Sequence, residues 1–373
     1  PDSLTTIESE AFYSCTSLTE IVIPDDVTVI DSHTFYSCSN LTSVTLPDSL
    51  ITIGLSAFND CTSLAEITIP DSVTRIQFWA FENCTNLASV TLPNRIQLIE
   101  SGTFKGCTSL IEITIPDGVT IIEDEAFYNC TSLISAPLPD SLTTIEENAF
   151  AFCESLTGIT IPDNVTNIGS YAFYKCSSIP SITFPDGLKV IQNGMFYGCD
   201  SLTSITFPDS ISVIGNHAFG KCKLLTSVTL PNNDNFSLDN GVFADCENLV
   251  EIIPSCEYKH ILVEDGIIFS KNYIIEDGIQ IPDNKRHLIH YSAGKPEKEY
   301  AIPDSVTQIG GAAFEGCRNL TKVTYNNVTY IGKNAFEACT NLTEIKIPEG
   351  QKIIDYFTFN LCTSLTEITI PDR

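Results

Sequence analysis

The sequence predicts an α/β repeat solenoid: a leading wall of short parallel strands, a wall of helical or 3-10 turns, and one interruption by β-hairpins. Three observations predict it. A cysteine recurs every 23 residues at Cys15, Cys38, Cys61, Cys84, Cys107, Cys130, Cys153, Cys176, Cys199 and Cys222, slips by one residue at Cys246, and returns at Cys317, Cys339 and Cys362. A phenylalanine column runs in step with it, fourteen members from Phe12 to Phe359. Between them lies a recurring Leu-x-x-Ile-x-Ile-Pro run, as in Leu110 to Pro116. Self-similarity at a fixed period of this length is the mark of stacked repeats, and stacking sets equivalent residues about 4.8 Å apart.

Each part of the unit has a physical reading. Ile113 and Ile115 alternate inward, so Glu112 and Thr114 point out from a short parallel strand. Pro116 ends the strand because it has no N–H for a ladder. Val119 and Ile122, three apart, fit a second buried edge on the opposite wall. The Ala126-Phe127 pair with Cys130 suits one helical or 3-10 turn facing the core. A small residue precedes most members of the phenylalanine column, with Met195 and Val242 the bulkier exceptions. Bulky turns on one wall and narrow strands on the other bend the stack into a horseshoe or superhelix, with the parallel sheet on the concave side.

Residues 255–300 break the frame and divide the chain into an array over 1–254, an irregular β-hairpin insert over 255–300, and further repeats over 301–373. Asp265-Gly266 and Asp277-Gly278 are turn signals between strand-like runs, so hairpins are expected there. The insert holds Lys259, Lys271, Lys285, Arg286, Lys295 and Lys298, six of the chain's nineteen basic residues. They read as the lysine-protected edges of solvated hairpins.

The unit Cys-x-x-Leu-x-x-Ile-x-Ile-Pro-x-x-Val-x-x-Ile-x-x-x-Ala-Phe resembles the BspA-like leucine-rich repeat, over about residues 1–253 and 301–373. That resemblance implies a leucine-rich repeat solenoid on a secreted or surface-attached protein, of bacteria or of parasitic or commensal protists. It implies adhesion to host matrix proteins or to other microbes, and an extracellular or cell-surface location. The family carries no shared catalytic motif. Inserts like residues 255–300 also occur within such arrays, so the interruption reads as a family element.

Composition narrows the function classes. The net charge of −28 argues against nucleic acid, whose recognition rests on Lys and Arg neutralising phosphates, and against adsorption to anionic membranes. No apolar run approaches the roughly 18 residues of a membrane span. The chain opens on Pro1-Asp2-Ser3, already inside a repeat, which suggests a piece of a longer protein.

Candidate chemistry reduces mostly to packing. In-register cysteines come within disulfide range of one another, but their side chains point the same way, and no Cys-x-x-Cys suggests a metal. They read as small buried hydrophobes, with Cys256, outside the ladder, as the reactive or paired thiol. Asp after Pro (Asp25, Asp48, Asp71, Asp117, Asp140) reads as a turn residue rather than a calcium ligand. Eight Asn-x-Ser/Thr sequons, at Asn40, Asn83, Asn129, Asn164, Asn235, Asn319, Asn327 and Asn341, are a weak sign of glycosylation. The five histidines are scattered, and His287 with His290 reads as a surface pair. No enzyme activity and no cofactor or metal are expected.

The outward strand positions are more informative. One column alternates Glu20, Ser43, Glu66, Ser89, Glu112, Ser135, and the next is largely threonine, including Thr68, Thr91 and Thr114. Glu20, Glu66, Thr68, Thr91, Glu112 and Thr114 are the candidate ligand-binding residues, with Tyr258, Lys271, Lys285, Arg286 and Tyr291 of the insert as a second group. The expected function is a non-enzymatic adhesin-type protein binding a protein or glycan through its concave face. The alternative is a passive stalk that projects another domain.

Overall fold

The computed structural model describes residues 4–276, 279–283 and 285–371. They form two compact units, Pro1–Leu188 and Lys189–Arg373. Within each unit the 23-residue period winds into coils with three walls. The first wall carries three-residue strands. Glu66–Thr68 pairs in parallel with Ser89–Thr91, Glu66 opposite Ser89 and Thr68 opposite Thr91. The central residue of each strand is buried and its two neighbours are exposed, as period-two alternation requires. Pro70 ends the strand, and the N–H of Val73 closes a turn on the Pro70 carbonyl at 3.0 Å. The second wall is a ladder of two-residue strands, running Leu98–Ile99, Ile121–Ile122, Thr144–Ile145 and Asn167–Ile168 in strict parallel register.

The third wall corrects the expectation of helical or 3-10 turns: the described residues contain no helix of either kind. Backbone N–H groups there alternate in direction. Ala57, Asn59 and Cys61 donate three residues back, to Gly54, Ser56 and Phe58 at 3.1–3.2 Å. Ser56, Phe58 and Asp60 donate instead to Phe78, Ala80 and Glu82 of the next coil at 2.8–3.0 Å. The residues two before and two after each phenylalanine have left-handed backbone, as at Ser56 (φ 50°) and Asp60 (φ 58°). A right-handed helix cannot pass through them. The wall is therefore a stack of turns, hydrogen-bonded between coils.

Two buried ladders hold the turns in register. In Pro1–Leu188 successive rings of the phenylalanine column stack at 5.1–5.6 Å, within 12° of parallel. Such contacts contribute about 0.5–1.5 kcal/mol each beyond burial. Beside them each thiol donates to the phenylalanine carbonyl of the preceding coil, Cys61 to Phe35 at 3.1 Å and Cys107 to Phe81 at 3.2 Å. Cys38, Cys84, Cys130, Cys153 and Cys176 repeat the contact at 3.1–3.3 Å.

In Lys189–Arg373 the first wall runs Ser204–Thr206, Ser227–Thr229, Glu251–Ile253. Then the frame breaks. Ile261–Glu264 and Ile267–Ser270 form an antiparallel hairpin about Asp265 (φ 49°) and Gly266 (φ 72°), the paired positive values that a tight hairpin turn needs. Asn272–Glu276 pairs with Ile279–Asp283 in a second hairpin, whose expected Asp277-Gly278 turn lies outside the described residues. Arg286–Tyr291 then pairs antiparallel with Ile267–Ser270 and parallel with Val306–Ile309, so the first hairpin is hydrogen-bonded into the array's second wall. Tyr291 takes a phenylalanine's place: its N–H donates to the Ala313 carbonyl at 2.8 Å and its buried ring lies 5.2 Å from Phe314. Asp245 also donates to the same turn, at the Glu315 carbonyl (3.0 Å), and its carboxylate takes the Arg318 guanidinium. The turn of Phe314 is thus met from two sides of the break: Asp245, in the coil of Phe243, bonds to Glu315, and Tyr291 of the insert makes the phenylalanine-type contact to Ala313.

Candidate functional site

The strand wall of Pro1–Leu188 brings together the outward columns read from the sequence. Glu20, Glu66, Thr68, Thr91, Glu112 and Thr114 are all exposed. Glutamate and serine face each other across the ladder, Glu20 opposite Ser43, Glu66 opposite Ser89, and Glu112 between Ser89 and Ser135. Each carboxylate thus sits two coils from the next, about 10 Å away, beyond direct repulsion at physiological salt. Thr68, Thr91 and Thr114 line one shallow cleft of about 430 Å³, with Pro70, Asp71 and Asn94 among its other walls. Asp71 is already engaged, its Oδ1 accepting from the backbone N–H (3.0 Å) and side-chain amide (3.1 Å) of Asn94. It acts as a coil-to-coil clamp, and the described residues gather no set of three His, Cys, Asp or Glu to hold a metal.

The insert residues separate into surface and core. Tyr258 and Tyr291 are 3% and 2% exposed; the Tyr258 hydroxyl donates to the Pro231 carbonyl at 3.1 Å. Both are packing residues. The cations face carboxylates: Lys259 on Asp234 at 2.9 Å, Lys271 on Glu257 at 3.3 Å, Arg286 on Glu264 at 3.8 Å, Lys295 on Asp265 at 2.7 Å. Lys285 is exposed and Lys271 half-buried. The positive stretch seen in the sequence is therefore largely neutralised where it folds.

The histidine pair is not a surface pair. His290 is buried against the edge of Phe243, ring centroids 5.7 Å apart, and neither ring nitrogen has a hydrogen-bond partner. Burial pushes its pKa down to about 4, so the ring is neutral and apolar in function. Burial raises the ladder thiols, Cys61 and Cys84 among them, above the ordinary cysteine value, which suits packing and not nucleophilic chemistry. Cys256 is half-buried.

Sequence reasoning passed over a second cleft, on the turn wall, lined by Phe78, Trp79, Ser101, Asp124, Glu125, Glu147 and Asn148. Its signal was present: the chain's single tryptophan stands in a column that mixes small and polar residues such as Ser56, Gly102 and Asn148 with a few other rings, Tyr171 and Phe357 among them.

Coils with a three-residue strand, a two-residue strand and a phenylalanine–cysteine turn define a parallel β-solenoid of leucine-rich repeat type. The chain belongs to the BspA type leucine rich repeat region family, whose six-copy model matches residues 5–134, 56–180, 143–272 and 293–373. Among solved structures it is similar to a leucine-rich repeat protein from Bacteroides ovatus, 25% identical, covering 98% of this chain and 88% of that one, with a TM-score of 0.54. It is also similar to a leucine rich cell surface protein from Faecalibacterium prausnitzii, 28% identical over 95% of this chain and 88% of the other, TM-score 0.57. No curated protein matches it.

Proposed function

We propose that the chain is a non-enzymatic, adhesin-type binding protein, secreted or displayed at the cell surface, that recognises a protein or glycan through its strand wall. One observation carries the reading: Thr68, Thr91 and Thr114 line one shallow cleft, in coils that also expose Glu66 and Glu112 two positions earlier on the same wall. Hydroxyl rows offer both donors and acceptors, and the carboxylates add charge-assisted acceptors for a ligand's hydroxyl or ammonium groups. The family supports a surface role, and a solved relative carries the description of a cell surface protein.

The test is a matrix-protein and glycan array probed with the wild-type chain, followed by titration of any hit with Glu66→Lys/Glu112→Lys. The reversed chain is expected to bind about tenfold more weakly or worse, through a slower association rate and lost contacts. Binding equal to wild type would remove the strand wall from consideration. A chain that binds nothing on either array would favour a spacer that projects another domain.

A further inference from the structure

The turn-wall cleft encloses about 470 Å³, within the range of ligand sites. It is built by column substitution. At the position where Trp79 stands, the following coil has Gly102, and a Cβ there would lie 2.2 Å from Trp79 Cδ1. The indole therefore folds down over Gly102, with Phe78 beside it at 6.0 Å between ring centroids. Trp79 remains 40% exposed, and Phe78 half-buried. In the two coils beyond Ser101 the same columns carry Asp124, Glu125, Glu147 and Asn148.

The charge around this cleft is not balanced. Glu100, Glu123, Asp124, Glu125, Glu146 and Glu147 fall within three successive coils. The cations paired to them are Arg75, on Glu100 at 2.7 Å, and Lys105, on Glu125 at 2.6 Å. Glu100 is itself 3% exposed, and its second oxygen has no hydrogen-bond partner. Glu123 accepts from the backbone N–H and hydroxyl of Ser101 at 3.0 and 3.1 Å. Asp124 and Glu147 are exposed, with one Asp124 oxygen capping the Glu147 N–H at 3.0 Å. The Glu146 carboxyl is held above its ordinary value by burial and then by the Asp124 and Glu123 charges.

We propose that this cleft binds a basic polypeptide segment, one lysine or arginine side chain lying on the Trp79 indole and its charge, or its neighbour's, between Asp124 and Glu147. An indole is the strongest aromatic partner for a cation, and the two adjacent columns place carboxylates about 10–15 Å along the same line, the reach of two to four extended residues. The net charge of −28 draws such a segment in from a distance. The site is on a different wall from the strand-face cleft and stands or falls separately from it.

Trp79, as the chain's sole tryptophan, reports on the site directly. Titration with a hexa-arginine peptide is expected to change its emission saturably, with affinity falling as salt rises. Asp124→Asn/Glu147→Gln keeps the shapes and the Asp124 cap, and is expected to weaken binding about tenfold or more without moving the thermal midpoint. Glu66→Gln/Glu112→Gln, on the strand wall, is expected to leave the titration unchanged. An emission that does not saturate overturns the proposal. So does equal affinity in the Asp124→Asn/Glu147→Gln chain, which would mean diffuse attraction to net charge, or a neutral oligosaccharide outcompeting the peptide.

Discussion

Cys107 shows why a cysteine, and not another small residue, recurs in this chain. Its sulfur fills the space beside the Phe104 ring column while its S–H satisfies a second lone pair on the Phe81 carbonyl, which already accepts the Cys84 N–H at 3.2 Å. Alanine removes both the volume and the donor; serine keeps a donor but shortens it by about 0.4 Å and buries a more polar atom. Either Cys107→Ala or Cys107→Ser is expected to destabilise by about 1–2 kcal/mol in urea titration. In the native state an aromatic disulfide reagent should react quickly with exposed Cys15 and more slowly with half-buried Cys256 and Cys362, while the buried ladder members react only after unfolding. Rapid labelling of Cys61 through Cys153 in the native chain would contradict the packing account. The packing role of the column was legible in the sequence; the S–H contact was not, because it joins residues 26 apart across a coil boundary. The sequons behave likewise. The amides of Asn40, Asn164, Asn319 and Asn341 donate to carbonyls of neighbouring coils at 2.6–2.9 Å, and Asn83 and Asn129 occupy left-handed positions. These asparagines have structural reasons to be there whether or not a glycan is attached.

At the scale of the element, the turn wall was misread because its spacing is ambiguous. Ala-Phe-x-x-Cys fits a helical turn and a stacked β-turn equally well, since both close bonds between residues three apart. The deciding signal lies two residues either side of the phenylalanine, where Asp60, Asn83, Gly102, Gly106, Asn129 and Asn148 are residues that accept left-handed backbone. The same wall carries the joint over the interruption, and there Glu315 is the weak point. It is 8% exposed, one oxygen lacks a hydrogen-bond partner, and its carboxyl is pushed up to about 8 by burial and then by Glu337 and Asp245, with Lys221 and Arg318 opposing. Between an ordinary value of about 4.3 and this raised one, the folded chain holds a proton that the unfolded chain has released. Stability therefore falls as pH rises through that window and is fully present below it. Glu315→Gln mimics the protonated form, so it is expected to match wild type near pH 4 and to exceed it by about 2 kcal/mol or more near pH 9. Parallel stability curves for the two proteins across the whole range would show that Glu315 does not titrate in the fold.

For the whole molecule, the period itself is the organising physical fact. Hydrogen bonds, ring stacking and thiol contacts in Pro1–Leu188 run between adjacent coils, so stability is a sum of near-identical coil and interface terms. That is why the stacked-coil architecture could be read from a few recurring columns, while the form of the turn wall could not. The strand-face columns followed from period-two alternation, whereas the turn-wall cleft depends on which residues follow one another within a single column, Trp79 and then Gly102, and a period alone does not show that pairing. The additive picture has a sharp consequence. Deleting Thr85–Cys107 joins Cys84 to Thr108 and restores Cys-Thr-Ser-Leu in register, with Phe81 brought onto Phe127. The chain lacking this coil is expected to keep its circular dichroism per residue and its cooperative unfolding. It should lose a modest fraction of the urea m-value, in proportion to the surface removed. Deleting only Thr85–Gln97 instead sets a second-wall strand beneath a first-wall strand and places Ile99 out of register with its neighbours. That shorter deletion is expected to be the more damaging of the two, although it removes fewer residues. If the 23-residue deletion unfolds the chain while the shorter one is tolerated, the coils are not interchangeable units.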